Sequence, residues 1–314
     1  MTAPTPVIID SDPGVDDAVA ILLALASPEV EVKAIHTVAG NVPLSDTTRN
    51  ALKVLELAGR TEVPVHAGCS RPMLRDQVFG KYAAGGGLAG DTLPPPGMRP
   101  APDHAVDHLV ACLRRAAADS APLTVCTLGP LTNIGLALAK APDIVAGIGR
   151  IISMGGAFTA LGNRRPWAEF NFLADPHAAR IVLNSGVPVE MLPLDVTFQA
   201  LATPERLAAI AALENPVADA VCRLITYHDR GDPARFGVQG GPLHDPLVIA
   251  RILWPDLFQG RPAKVTVETG SPGALGHTIV DWKATPESGA NAIVFTRLDA
   301  GGFFVRLTER LARY

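Results

Sequence analysis

Along the chain, short runs of β-branched and aliphatic residues alternate with stretches whose apolar positions recur every three or four residues. An apolar run at 7–9 is followed by a helical pattern over 16–26 and a second run over 30–38. Further runs at 63–66, 123–127, 150–154 and 187–193 are separated by apolar helical stretches such as 133–140 and 176–184. This alternation predicts βαβ units, and therefore an α/β fold with a doubly wound, mostly parallel open sheet flanked by helices. Two regions break the rhythm. Residues 73–102 contain Gly85-Gly86-Gly87 and Pro94-Pro95-Pro96, which suit neither a helix interior nor a central strand and predict a mobile surface loop. Residues 204–230 read as consecutive helices, and 264–268, 277–281 and 292–297 as late strands, so a small appended helical and β region is expected near the C-terminus. With no internal repeat and no charged tail, residues 1–314 are read as a single domain.

Composition narrows the classes of partner. The 314 residues are 48% hydrophobic, enough for one large core. A formal net charge of -4 offers no basic surface, so a small molecule is expected as partner and nucleic acid is not. The first residues lack a charged segment followed by a long apolar one, and no apolar run approaches the ~18 residues that span a bilayer. The expected location is cytoplasmic, with no membrane partner. Cys69, Cys112, Cys126 and Cys222 are far apart and form no C-x-x-C pair, which argues for reduced, buried filler.

The segment that carries chemistry is Val7-Ile8-Ile9-Asp10-Ser11-Asp12-Pro13-Gly14-Val15-Asp16-Asp17-Ala18, where an apolar strand runs into four acids. Carboxylates this dense repel one another, so some take up protons or a cation neutralises them. Oxygen-only ligands point to calcium or magnesium rather than zinc. Asp16 and Asp17 in a first helical turn diverge by about 100° and should serve different partners. Helix capping explains two of the four acids comfortably, but Asp10 and Asp12 sit at the carboxyl end of a parallel strand, where such sheets deliver ligand-binding groups. A helix-loop-helix calcium loop is excluded, because the glutamate it requires would fall on Ile21.

The run Asp12-Pro13-Gly14-Val15-Asp16-Asp17, read with Asp10, resembles the D-x-D-P-G-x-D-D signature of the inosine-uridine nucleoside hydrolase family. Further blocks agree in family order: Thr37-Val38-Ala39-Gly40-Asn41, Thr48-Arg49-Asn50-Ala51, Leu128-Gly129-Pro130-Leu131-Thr132-Asn133, Met154-Gly155-Gly156, Ala168-Glu169-Phe170-Asn171 and Leu243-His244-Asp245-Pro246. The resemblance implies a calcium-dependent hydrolase that cuts ribonucleosides into ribose and free base. It implies calcium ligands at Asp12, Asp17, the Leu128 carbonyl and Asp245. Asp16, Asn41, Met154, Asn163, Glu169, Phe170 and Asn171 would bind the substrate, mostly through ribose hydroxyls. Asp12 is the implied general base and His244 the candidate acid for the leaving base, since imidazole titrates near working pH. For an enzyme of this size a closed homo-oligomer, dimer or tetramer, is expected.

Plainer roles exist for each side chain taken singly. Asn41 and Asn163 adjoin glycines as turn residues do, Met154 suits a core, and Asp245 before Pro246 suits a helix N-cap. Members of the family often carry a histidine in the flexible loop where Ala83 stands here, so base contacts are expected from Tyr82, or from Tyr227, His228 and Arg230. A solvated helix end explains those last three equally well and, for Arg230, better. Base preference stays open, with hydrolysis of a different N-riboside as an alternative. Two rival readings remain: a haloacid dehalogenase-like phosphatase built on Asp10-Ser11-Asp12, and a non-catalytic calcium-dependent riboside-binding protein. The first has no use for the downstream blocks, and the second none for a base and an acid.

Overall fold

The computed structural model describes residues 3–81, 84–88, 93–227 and 231–314. The chain opens with β1 (Thr5–Ser11), α1 (Val15–Leu25), β2 (Val30–Thr37), α2 (Leu44–Leu57) and β3 (Val65–Ala67). It continues through α3 (Ala105–Ala118), β4 (Leu123–Thr127), α4 (Thr132–Lys140), β5 (Ile148–Met154), α5 (Phe170–Ala174), α6 (Pro176–Leu183) and β6 (Val189–Leu192). Short elements follow: α7 (Leu194–Thr197), β7 (Leu201–Ala202), α8 (Pro204–Ala211), α9 (Pro216–Tyr227), α10 (Pro233–Phe236) and β8 (Gly241–Pro242). The chain closes with α11 (Pro246–Leu253), β9 (Phe258–Val267), β10 (Thr278–Asp281), β11 (Ala292–Leu298) and α12 (Ala300–Leu311).

Nine strands form one sheet in the order β10-β9-β11-β6-β5-β4-β1-β2-β3. From β3 across to β11 every pairing is parallel, and β9 and β10 complete the far edge in antiparallel fashion. The chain winds outward from β1 to β3, then returns to β4 on the other side of β1 and winds the opposite way. The loops after β1 and β4 therefore diverge, leaving a crevice at their carboxyl ends. The late strands do not make a small sheet of their own; β11 joins β6 and carries β9 and β10 with it. Alternation along a strand fixes which face is buried but not which strand lies beside it. The separate small sheet is the β7–β8 pair.

Helices cover both faces, which is why the central strands read as unbroken apolar runs. Val7 and Ile9 point into a core built with residues of α1, α9, α11 and α12, such as Leu22, Val221, Leu247 and Phe303. Ile8 points the other way, toward Leu109 of α3, Ile134 of α4 and Val182 of α6. Each such fully buried aliphatic side chain stabilises the fold by about 1.5–3 kcal/mol.

The stretch 73–102 contains no α-helix and no strand of the sheet among its described residues. Gly85, Gly86 and Gly87 all have positive φ (75°, 70° and 84°), a left-handed run that side chains disfavour and that accounts for the triplet. Asn50 anchors this turn, its Nδ2 donating to Gly86 O at 2.7 Å and to Pro13 O at 2.8 Å. Ala83 and Tyr82 lie outside the described residues, as do His228 and Arg230. Among the described residues no helix is long and apolar enough to cross a membrane.

Candidate active site

The carboxyl ends of four parallel strands meet at the crevice. Asp12 follows β1, Asn41 follows β2, Leu128 follows β4 and Met154 ends β5. The first turn of α1 adds Asp16 and Asp17, and the residue before α11 adds Asp245. Carboxylate oxygens of Asp16, Asp17 and Asp245 all lie within 4.8 Å of one another. Asp12 sits against this group: Asn41 N donates to its Oδ2 at 2.5 Å, and Asn41 Nδ2 reaches both Asp12 O (3.1 Å) and Asp17 Oδ2 (3.3 Å). Asp16 and Asp17 differ in their hydrogen bonds, yet an oxygen of each belongs to the same group with Asp245. Asp17 accepts from Ser11 Oγ at 2.7 Å and from Gly14 N at 3.0 Å, whereas Asp16 Oδ2 accepts from His244 N at 3.2 Å.

Asp17 therefore helps to close the first turn of α1, as a capping residue would, while Asp245 makes no side-chain cap hydrogen bond at the start of α11. The capping explanation thus accounts for part of Asp17 and none of Asp245. The backbone is shaped around Asp12. A Cβ at Gly40 would fall 2.1 Å from Asp12 Oδ2, and one at Gly129 would fall 2.5 Å from Oδ1. Both carboxylate oxygens are thus walled by glycines.

Desolvation dominates the electrostatics. Burial, aided by the Asp17 charge, holds the Asp12 carboxyl well above the usual carboxylate range, and burial with the Asp16 charge raises Asp17. Asp10 is pushed up to about 7 by burial, against the lowering effect of a hydrogen bond from Asn133. The strongest charges acting on Asp12 and Asp17 are other carboxylates, and Asp17 and Asp245 are hydrogen-bonded to each other. Two buried acids in that relation must share a proton unless a cation sits between them. A hard divalent ion with oxygen ligands fits this donor set, in which the carboxylates supply oxygen alone.

Above this floor lies a cleft of about 470 Å³. Asp16, Asn41, Leu128, Met154, Asn163, Glu169, Phe170, Asn171, His244 and Asp245 all line it, while Asp12 and Asp17 are buried behind the lining. Asn171 Nδ2 donates to Leu128 O (2.7 Å) and Met154 O (3.1 Å), tying the ends of β4 and β5 to α5. Glu169 caps the start of α5. It is 1% exposed, its oxygens accept from the backbone N–H groups of Gly156, Asn171 and Phe172, and burial raises its pKa to about 7. Asn163 Oδ1 accepts from Phe170 N at 2.9 Å, fixing the loop that enters α5.

His244 Nδ1 is hydrogen-bonded to Thr197 Oγ1 at 2.7 Å, and its ring meets Phe198 edge-on with centroids 5.7 Å apart. That wall contains residues the sequence reading did not single out. Arg235 stacks its guanidinium 4.2 Å from the Phe198 ring centre and donates to Leu161 O at 2.8 Å, and Phe236 packs against Phe198 at 5.3 Å. The only sequence signal for this segment was Asp232-Pro233 followed by Gly237, which marks the short α10 as a helix without revealing what it covers. Tyr227 is 50% exposed and is not part of the wall formed by the described residues. Asp195, also unanticipated, receives the backbone N–H groups of Phe158 (2.9 Å), Thr159 (2.8 Å) and Ala160 (2.7 Å), and so shapes the loop that carries Asn163.

Comparison with known proteins agrees with this geometry. The model of the inosine-uridine preferring nucleoside hydrolase family matches residues 7–305. The chain is 42% identical over 314 residues to the pyrimidine-specific ribonucleoside hydrolase RihA of Photobacterium profundum, covering 98% of this chain and 99% of that one. It is 44% identical over 308 residues to an uncharacterized protein of Schizosaccharomyces pombe, again covering 98% and 99%. Among solved structures, the purine-preferring ribonucleoside hydrolase from Gardnerella vaginalis superposes with a TM-score of 0.89 at 32% identity, covering 98% of each chain. With a mostly parallel sheet, an acidic floor at its switch point and matches that span nearly the whole chain, the protein belongs to the inosine-uridine preferring nucleoside hydrolase family and is a ribonucleoside hydrolase.

Proposed function

We propose that the hydrolysis is calcium-dependent, that Asp12 acts as general base toward a water attacking C1' of the ribose, and that His244 protonates the departing base. The observation that carries this reading is the packing of Asp16, Asp17 and Asp245 within 4.8 Å beneath a cleft lined by amides, Glu169 and His244. Asp17 and Asp245 of that group, joined by Asp12 and the Leu128 carbonyl as the family resemblance implies, would hold the ion. When bound, calcium lowers the cost of crowding these carboxylates, polarises water weakly and chelates ribose hydroxyls.

The remaining work falls to the chain itself. Asp12, desolvated and held by Asn41 N, is a better proton acceptor than an exposed carboxylate. Asp16, Asn163, Glu169 and Asn171 are placed to grip ribose hydroxyls and hold the ring as charge develops at C1'. With Nδ1 engaged by Thr197, His244 donates through Nε2 in this reading. Direct attack by water inverts the configuration at C1'. Pyrimidine ribonucleosides are the proposed substrates, because the identity shared with the pyrimidine-specific RihA is 42%, against 32% with the purine-preferring enzyme.

Reducing-sugar release from uridine, cytidine, inosine and guanosine, with and without a chelator, tests the reading. Chelation is expected to abolish activity, and calcium to restore it. Undiminished activity in excess chelator would remove calcium from the account. In His244→Ala, uridine hydrolysis should fall by about 10²-fold or more while an activated aryl riboside, which needs no proton, is cut nearly as fast. The reverse pattern rejects the acid role.

A further inference from the structure

Asn133 does not line the cleft, yet its side chain lies where the strand ends beneath the floor come together. It is fully buried in the first turn of α4, just beyond the loop that presents Leu128. Its Nδ2 donates to Asp10 Oδ2 at 2.8 Å and to Thr37 O at 3.1 Å, and its Oδ1 accepts from Cys69 N at 2.8 Å. Those partners lie at or within two residues of the carboxyl ends of β1, β2 and β3 respectively. One amide thus ties the carboxyl ends of three adjacent strands to the helix that follows a fourth.

The fit is close. A Cβ at Gly68 would fall 2.3 Å from Asn133 Oδ1 and 2.6 Å from Nδ2, so the chain leaves room there for the amide and nothing more. The residues that Asn133 fixes are two to four positions from the site. Asp10 precedes Asp12 by two residues, and its backbone carbonyl accepts from Leu128 N at 2.8 Å. Thr37 leads through Val38, whose N–H donates to Ser11 O at 3.0 Å, to Asn41, whose N–H holds Asp12 Oδ2.

From this arrangement we propose that Asn133 is a positioning residue for the reaction. It sets the lateral spacing of the β1, β2 and β4 ends, and so the placement of Asp12 against Asn41 N and the Leu128 carbonyl. It touches neither substrate nor reacting atoms. The proposal rests on the reading of Asp12 as general base given above, and it extends to calcium, because the same spacing governs the ligand set. Hydrogen bonds one layer behind metal ligands and catalytic groups commonly alter affinity or turnover by about 10–100-fold, and a displacement of about 1 Å at a reacting group can cost about 10²-fold.

The test compares Asn133→Asp, which keeps the shape but replaces the Nδ2 donor with an acceptor facing Asp10 and Thr37 O, with the exchanged pair Asp10→Asn/Asn133→Asp. The exchange restores a donor–acceptor match between the two positions. For each protein Tm is determined, and kcat and KM for uridine and calcium affinity by titration calorimetry are then measured well below the unfolding transition. Asn133→Asp is expected to lower kcat by about tenfold or more and to weaken calcium binding by about tenfold, with KM changed less than threefold. The exchanged pair restores the Asp10 link but leaves Thr37 O facing an oxygen, so it should recover a large part of both losses without reaching the parent. A lowered Tm with unchanged kcat and calcium affinity, or an exchanged pair that recovers Tm but not kcat, overturns the proposal. If Asn133→Asp alone does not fold, the exchanged pair decides: a kcat reduced by less than about tenfold from the parent supports the proposal, and a folded pair with kcat reduced tenfold or more overturns it. Should the parent enzyme bind no calcium, the calcium reading falls, and the kcat comparison still judges the role of Asn133.

Discussion

The floor of the cleft and its aromatic wall are built on different principles. The floor is made from the ends of parallel strands and the first turn of α1, with buried carboxylates that desolvation drives upward and that backbone N–H groups and amides hold in place. The wall comes from loop 155–169, α7 and α10, where Phe198, Arg235 and Phe236 stack and a carboxylate, Asp195, organises the backbone. The floor concentrates charge that must be neutralised. The wall spreads apolar and cationic surface suited to a flat, polarisable leaving group. In the proposed reading, chemistry shared by all nucleosides falls to the sheet, and discrimination between bases to the segments attached to it.

Three perturbations sharpen that contrast, in descending size. Asp12→Asn removes the proton acceptor, and with it the charge of a proposed calcium ligand, with little change of shape, and at saturating calcium is expected to lower kcat by about 10³-fold or more. A loss under tenfold would place the base elsewhere. Asp195→Ala leaves three backbone N–H groups without their carboxylate and should loosen the loop that bears Asn163. The expected result is a KM for uridine raised about fivefold with kcat within about threefold, because substrate grip is affected and the floor is not. A kcat loss exceeding the KM change would mean that the wall and the floor are not separable.

The smallest effect is on stability. Asp10 and Glu169 have folded pKa values of about 7 against ordinary values of 3.8 and 4.5. Since folding raises both, the folded state binds more protons than the unfolded one. The stability these groups contribute is fully present below about pH 4 and is lost as pH rises to about 7. Metal-free protein should therefore lose several degrees of Tm between pH 5 and pH 8. Calcium should restore more of it at pH 8 than at pH 5, because the ion competes with protons for the neighbouring acids. A calcium-induced rise in Tm that is independent of pH would contradict this linkage.

Much of the floor was legible in the sequence because a parallel sheet follows a simple rule: residues just beyond strand ends converge. Asp12, Asn41, Leu128 and Met154 each follow a different apolar run, and four independent turns need not have met. Helix geometry anticipated that Asp16 and Asp17 differ in their hydrogen bonds, but not that an oxygen of each joins Asp245. The wall obeys no such rule. Phe198 ends a one-turn helix and Arg235 lies in α10, elements too short to have a periodicity, and their contacts span 37 residues between them. The late strands were recognised as strands by alternation, but their pairing with β6 and with one another is a long-range choice that local pattern does not encode. Asn133 lay inside a quoted motif, yet its reach to Asp10, Thr37 and Cys69 appears only in three dimensions.

Gly40 and Gly129 press their bare α-carbons against the two oxygens of Asp12. No larger amino acid fits at either place without pushing the acid aside, so single substitutions there have almost no room in which to be neutral. If Asp12 is the general base, variation that retunes the enzyme toward another nucleobase is thereby steered away from its surroundings and onto Phe198, Arg235 and Phe236, where exchanges are expected to leave hydrolysis itself intact.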